Sequence, residues 1–308
     1  MRTYIGIEDI EKIESKTVVT LGTFDGVHKA HQALLERTIT KSKELNACSV
    51  VITFDPHPRT FFSPTTPIRQ LSTIEEKKEL LEACGIDILV VVTFDEEFAA
   101  MSAYDFYKKI LLEKMGMCAM VVGYDHSFGS EKANAYTFLS SQGVDVERIE
   151  AISTGGITIS SSSVRRAIEG GDISLANHLL GRPYSFQGEV IHGKQLGRKL
   201  GFPTANIAID HNLKLMPPDG VYAVRVKYEG KTYGGMMNCG MRPTLDDRLG
   251  RSVEINIFDF EKDIYGETIR AEIIAWVRSE IKFRSLEDLT TQLHTDSSRC
   301  REILEMFM

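Results

Sequence analysis

The sequence predicts an α/β domain followed by an all-β domain: first a parallel sheet, then a small barrel with a C-terminal helix. Two observations carry this. Up to Gly181, short runs of Val, Ile and Leu alternate with helix-length patterns, the rhythm of strands covered on both faces and joined by helical crossovers. Beyond Gly181, short strand patterns follow one another across glycine-bearing turns, with no helix-length pattern before Ser285–Phe307. Strands without intervening helices form sandwiches or barrels. A length of 308 residues suits two domains, and the change of rhythm places the boundary at 182.

In order, the apolar run Thr17–Leu21 predicts a strand, Lys29–Leu45 a helix and Cys48–Phe54 a strand. Thr73–Cys84 follows as a helix, Ile86–Thr93 as a strand, Ala103–Lys114 as a helix and Cys118–Gly123 as a strand. Ser162–Glu169 and Ile173–Leu180 read as short helices, the second with Asp172 and Ser174 available for its cap. Phe186–His192, Gly220–Tyr228, Lys231–Asn238, Ser252–Phe258 and Thr268–Val277 are the barrel strands.

Composition excludes several classes. Hydrophobic residues make up 43% and charged residues 26% of the chain, as in soluble globular proteins. A net charge of −7 opposes a nucleic-acid-coating surface. No stretch approaches the ~20 apolar residues of a membrane span, and Met1–Gly6 runs into acidic residues rather than a signal-peptide pattern. The cysteines at 48, 84, 118, 239 and 300 are scattered and never form a Cys-x-x-Cys pair. They point to a reducing cytoplasm, with neither a disulfide frame nor a zinc site, and to small buried or half-buried thiols. The single tryptophan, Trp276, is expected in the core.

Two segments carry chemistry. Gly22-Thr23-Phe24-Asp25-Gly26-Val27-His28, with His31, leaves the first strand and enters the first helix. Histidines three apart share a helix face. The helix start presents N–H groups to an anion, and crevices at the carboxyl ends of parallel strands bind ligands. Solvated loop histidines are the competing reading. Zinc ligation is disfavoured, since no third ligand is evident.

The second segment runs from Gly181 to Asn206. Gly193, Gly197 and Gly201 recur at four-residue spacing with Lys194, Arg198 and Lys199 between them. Glycine admits close backbone approach to an anion and the basic residues add charge, so the run reads as a phosphate site, although no Walker A pattern occurs in the chain. It closes in Phe202-Pro203-Thr204-Ala205-Asn206, expected as a rigid turn, where Thr204 and Asn206 offer the hard oxygens that suit Mg²⁺. A turn with only local side-chain-to-backbone bonds is the alternative. In Val253-Glu254-Ile255-Asn256-Ile257, alternation sets Glu254 and Asn256 on the face opposite the apolar residues. A solvent-facing strand glutamate is the plain reading there.

These pieces stand in an order that resembles the bacterial bifunctional riboflavin kinase/FAD synthetase family over nearly the whole chain. The first half is similar through residues 22–28 and His31, Thr53-Phe54-Asp55-Pro56-His57-Pro58, Val121-Val122-Gly123-Tyr124-Asp125 and Ile159-Ser160-Ser161-Ser162-Ser163-Val164-Arg165. The second is similar through the glycine-basic run, Gly220-Val221-Tyr222, Asn238-Cys239-Gly240-Met241-Arg242-Pro243-Thr244 and Val253-Glu254.

The resemblance implies a Rossmann-like nucleotidyltransferase domain, 1–182, that adenylylates FMN to FAD, and a flavokinase β-barrel, 183–308, that phosphorylates riboflavin to FMN. Both would use ATP. It implies that His28 and His31 bind ATP phosphates, that Arg165 holds pyrophosphate beside Ser162, and that Gly22, Thr23, Phe24, Asp25 and Asp125 line the nucleotide site. In the barrel it implies Glu254 as the base, phosphate contacts from Gly193, Lys194, Gly197, Arg198 and Gly201, Mg²⁺ at Thr204 and Asn206, and flavin contacts from Arg242 and Phe283. The chain departs from the family pattern at Ala30, His126, Ser127, Asn134 and Ser162, which points to FAD synthesis weaker than FMN synthesis. A riboflavin kinase with a weakened or inactive first half and a non-catalytic flavin- or nucleotide-binding regulator are the alternatives.

Overall fold

A computed structural model describes residues 1–10, 12–193, 197, 200–209, 213–241 and 251–307. By contacts the chain separates into two compact units, Met1–Ser161 and Ser162–Met308. The two short helices expected at Ser162–Glu169 and Ile173–Leu180 therefore belong with the barrel.

The first unit holds a six-stranded parallel sheet formed by β1 (Arg2–Ile5), β2 (Thr17–Leu21), β3 (Cys48–Asp55), β4 (Ile88–Thr93), β5 (Met117–Gly123) and β8 (Asp145–Ile149), in the order β1-β4-β3-β2-β5-β8. A two-stranded ribbon, β6 (Ser127–Phe128) with β7 (Ala133–Asn134), precedes β8, and a second, β9 (Ser153–Thr154) with β10 (Ile157–Thr158), follows it. The central strands are buried on both faces by strict alternation. Val19, Leu21, Val50, Ile52, Val90 and Met120 belong to one core, and Val18, Val51, Leu89, Ala119 and Val121 to the other. The chain builds β3 and β4 to one side of β2, then crosses to place β5 on its other side. The strand order thus reverses at β2, so the loop after β2 lies at the position where such sheets bind ligands.

That loop leads into α1 (Lys29–Glu44). The remaining helices are α2 (Pro58–Phe62), α3 (Ile74–Ala83), α4 (Glu96–Ala100), α5 (Ala103–Asp105) and α6 (Ala135–Ser141). The helix expected over Ala103–Lys114 is α-helical only at its start and continues as a π-helix over Phe106–Lys114. Edge strands β1 and β8 carry no apolar run and were not expected. β8 is three-fifths charged, and it is fastened to α1 through Lys41–Asp145 at 2.9 Å and Arg37–Glu147 at 2.6 Å.

The second unit opens with α7 (Ser161–Glu169) and α8 (Ile173–Leu180), the latter capped by Asp172, which accepts from Leu175 N at 2.9 Å. Its strands β11 (Tyr184–Ile191), β12 (Ala205–Ile209), β13 (Gly220–Tyr228), β14 (Lys231–Met241), β15 (Arg251–Ile257) and β16 (Thr268–Arg278) close an antiparallel barrel, in the order β11-β12-β15-β14-β13-β16. The terminal helix Leu286–Glu305 covers one outer face, where Cys300, Ile303 and Leu304 pack on Phe202, Val221, Met236 and Ile274.

Two expectations need correcting. Ala205 and Asn206 open a strand, not the end of a turn, because both pair with β15. Trp276 is not a core residue but 47% exposed. β16 slips register against β13 twice, between the partners of Val221 and Tyr222 and again between those of Ala223 and Val224, and such bulges re-aim side chains.

All five cysteines are free thiols, Cys239 and Cys300 buried and the other three half-buried. Burial, with Asp296 nearby, pushes the Cys300 thiol up to about 12. Arg278 at the end of β16 grips Asp296 of the terminal helix, Nε donating at 2.9 and 3.0 Å and Nη2 at 2.6 Å, while Gln292 donates to the same carboxylate at 2.8 Å. Asp296 is 2% exposed, and removing one member of a buried pair leaves the other charge uncompensated. Asp296→Ala is therefore expected to cost about 3 kcal/mol. Urea unfolding followed by Trp276, the one tryptophan and a reporter of the barrel, checks this.

Candidate active sites

In the first unit, the loop after β2 bends through three residues with left-handed backbone. Phe24, Gly26 and Val27 have φ of 45°, 78° and 37°, unusual for a bulky and a β-branched residue. Phe24 and Val27 are buried, and a Cβ on Gly26 would meet Leu71 at 2.8 Å. The bend is anchored on every side. Gly22 N donates to Ile52 O at 3.0 Å, and Gly26 N to Ser72 Oγ at 3.0 Å. Asp25, 1% exposed, turns inward to accept from Leu71 N and Ser72 N at 2.9 and 3.1 Å, and its own carbonyl accepts from Ser161 Oγ at 2.9 Å.

The bend delivers His28 to the N-cap of α1, where Nδ1 accepts from His31 N at 3.3 Å. The two imidazoles stack with centroids 3.7 Å apart, and the Phe24 ring lies 5.0 Å from that of His31. The histidine pair read from the sequence is one preorganised element. Thr23 contributes its carbonyl, which accepts from Thr53 Oγ1 at 3.0 Å. Asp125 is exposed in the turn after β5. Arg165 and Ser162 lie on α7 in the second unit, Arg165 buried and Ser162 exposed.

The departures at 126 and 134 have visible consequences. Asn134 is the N-cap of α6, its Oδ1 accepting from Thr137 N and Oγ1 at 3.0 and 3.1 Å. His126 Nε2 is buried without a hydrogen-bond partner, and burial drives its pKa down to about 4, so the imidazole is neutral. Ala30 stands in the first turn of α1, and Ser127 is exposed at the start of β6.

In the second unit a cavity of about 330 Å³ lies between the barrel wall and the terminal helix. Thr204, Glu254, Asn238 and Asn256 form its polar end, Phe202, Val221, Met236, Leu289 and Leu293 its apolar wall, and Arg278, Glu280 and Phe283 its rim. Thr204 Oγ1 donates to Glu254 Oε2 at 3.2 Å. Asn256 Nδ2 donates to Pro203 O at 2.7 Å and so pins the Pro-Thr segment against β15. Asn206 is cross-strand partner to Glu254 and 6% exposed. The alternation predicted for β15 holds, with Val253, Ile255 and Ile257 buried on the other face.

The three glycines have different physical reasons. A Cβ on Gly193 would fall 2.2 Å from the Asn206 amide. On Gly197 it would fall 2.3 Å from Phe202 O and 3.5 Å from Thr204 Oγ1. Gly201 meets nothing but sits at φ +81°. The first lets backbone lie against the Asn206 side chain and the second against the Phe202 carbonyl; the third makes a turn. Lys194, Arg198, Lys199 and Arg242 lie outside the described residues. Phe283 lines the cavity 5.9 Å beneath the Arg278 guanidinium. Sequence reading missed the Arg278–Asp296 pair, for which 18 residues of separation between a strand and a helix leave no local signal.

A reversing parallel sheet with a histidine-capped helix start, and a barrel with a carboxylate beside a hydroxyl in a cavity, define an ATP-using group-transfer enzyme with two sites. The family model described as FAD synthetase matches residues 10–163, and that described as riboflavin kinase matches residues 180–304. The bifunctional riboflavin kinase/FMN adenylyltransferases of Buchnera aphidicola and Bacillus subtilis are each 35% identical to the chain, over 96% and 93% of it and 96% and 92% of their own lengths. That of Escherichia coli K12 is 33% identical over 98% of this chain and 97% of its own. A solved structure from Streptococcus pneumoniae, described as a macrolide-efflux protein, superposes with a TM-score of 0.89 at 32% identity, over 98% of this chain and 99% of that one. The chain belongs to the bifunctional riboflavin kinase/FMN adenylyltransferase family. It is an enzyme with both activities, phosphorylating riboflavin to FMN and adenylylating FMN to FAD with ATP. Among the described residues no helix is long and apolar enough to cross a membrane.

Gly193→Ala and Gly197→Ala are expected to lower riboflavin phosphorylation on the order of a hundredfold by displacing Asn206 and the Phe202 carbonyl two residues before Thr204. Gly201→Ala should cost only about 1 kcal/mol of stability. Steady-state kinetics of FMN formation beside thermal unfolding separates the two effects.

Proposed function

We propose that Glu254 is the general base of the riboflavin kinase site. A primary alcohol is a weak nucleophile at neutral pH, so a carboxylate must take its proton as the oxygen attacks the γ-phosphorus of ATP. The new O–P bond forms, the bond to the ADP oxygen breaks, and the proton passes to Glu254. The observation that carries this reading is Glu254 beside Thr204 at the polar end of the cavity between barrel and helix. The apolar wall and Phe283 suit the flat flavin, and Arg242 is proposed as a further flavin contact.

Thr204 and Asn206 are the proposed Mg²⁺ ligands. Both offer hard oxygen donors, and the contact of Gly193 with the Asn206 amide leaves a cradle that a single Cβ would fill. Bound there, the ion neutralises triphosphate charge. Gly193, Lys194, Gly197, Arg198 and Gly201 are the proposed phosphate-binding backbone and cations.

In the first unit, the phosphate of FMN attacks the α-phosphorus of ATP and pyrophosphate leaves. The nucleophile is already an anion, so positioning and charge neutralisation carry the catalysis. His28 and His31 are proposed to hold the ATP phosphates at the α1 start, with Gly22, Thr23, Phe24, Asp25 and Asp125 shaping the nucleotide crevice and Arg165 and Ser162 meeting the pyrophosphate. On this reading the functional boundary falls near 182, after Arg165, and five free thiols suit a cytoplasmic enzyme.

Glu254→Gln is expected to slow FMN formation by roughly 10²–10⁴-fold while leaving FMN-to-FAD conversion intact. Paired His28→Ala and His31→Ala should do the reverse, by about 10²–10³-fold. Chromatographic separation of the flavins, starting from riboflavin or from FMN, reads both. An undiminished rate of FMN formation in Glu254→Gln would remove the base assignment.

A further inference from the structure

A buried lysine under the first site is used by nothing described so far. Lys77 on α3 is 6% exposed, and its Nζ donates to Thr53 Oγ1 at 3.2 Å. The same hydroxyl donates onward to the carbonyl of Thr23 at 3.0 Å. A continuous N–H···O–H···O=C chain therefore runs from a buried ammonium to the first residue of the left-handed bend. Hydrogen bonds in such a chain polarise one another.

The bend needs holding. Phe24 and Val27 occupy conformations that persist only where surrounding structure over-determines them. Asp25, Ser72 and Ser161 tie down its middle, and Thr53 reaches its start. Burial pushes the Lys77 pKa down, opposed by the charges of Asp25 and Asp55. Those two charges favour the ammonium form of Lys77, which offsets part of the negative charge near the bend.

We propose that Lys77 is a positioning residue for adenylyl transfer: through Thr53 it fixes the Thr23–Val27 bend, and so the stacked His28–His31 pair, in the geometry that receives ATP. The inference rests on the reading of His28 and His31 as the phosphate-binding pair. Lys77 touches no substrate; it acts through the loop.

The chain supplies its own control, because the kinase site is built from other residues. Lys77→Met keeps the length of the side chain and removes the charge and the hydrogen bond. Thr53→Val removes only the relay. Both are expected to lower kcat for FMN-to-FAD conversion by roughly ten- to a hundredfold with a smaller change in the KM for FMN, and riboflavin phosphorylation by the same preparations should be unchanged. Lys77→Arg should regain part of the loss. The double variant should lose little more than Lys77→Met alone, since both break one chain. If Lys77→Met lowers the unfolding temperature but leaves kcat and KM for ATP at wild-type values, the residue is structural only and the proposal falls. If Lys77→Met does not fold, Thr53→Val decides, and wild-type adenylyl transfer there overturns it. His28→Ala and His31→Ala measured alongside distinguish the two levels. Loss of activity in these with none in Thr53→Val sinks the relay alone, whereas full activity in the histidine variants sinks the site reading beneath it.

Discussion

The barrel half depends on backbone packed directly against its neighbours at the polar end of the cavity. At Gly193 and Gly197 the main chain lies so close to the Asn206 amide and the Phe202 carbonyl that a single methyl would overlap them. Thr204, whose hydroxyl reaches Glu254, stands immediately before β12. Its five residues pair with β15 at Ala205 and Asn206, while Asn256 of β15 reaches back to Pro203. A short strand, a neighbouring amide and two missing side chains fix four groups at one end of a cavity.

The adenylyltransferase half solves the same problem differently. Its precision comes from an irregular bend stitched to the sheet by side-chain hydrogen bonds. The reversal of strand order at β2 creates the crevice, and Phe24, Gly26 and Val27 aim the chain across it. Asp25 serves the loop as a clamp, since its carboxylate faces the amides of Leu71 and Ser72. The polar residues of that motif thus divide between the stacked histidine pair at the start of α1 and those holding the loop that delivers it.

Much of this was legible in the chain. Continuous apolar runs named the buried strands β2 to β5, and alternation in β15 placed Glu254 on the correct face. Physical reasons explain what escaped. β1 and β8 are edges, polar or charged, and β8 owes its place to ion pairs with α1 that no local pattern announces. Ala205-Asn206-Ile207-Ala208-Ile209 has too little β-branched bulk to outweigh the preceding proline as a turn signal. Trp276 was misplaced because the two bulges of β16, which re-aim side chains, have no local signal in the sequence. Lys77 and the Arg278–Asp296 pair escaped because each is defined by partners distant in sequence.

The distribution of thiols has a practical outcome. The three half-buried cysteines, 48, 84 and 118, all belong to the unit that makes FAD, whereas the two in the barrel unit are sealed, and Cys300 resists ionisation. Alkylating agents attack thiolates. A soft electrophile therefore meets the dinucleotide-forming half of this enzyme first, and a cell under such stress would go on making the mononucleotide after its conversion had begun to fail.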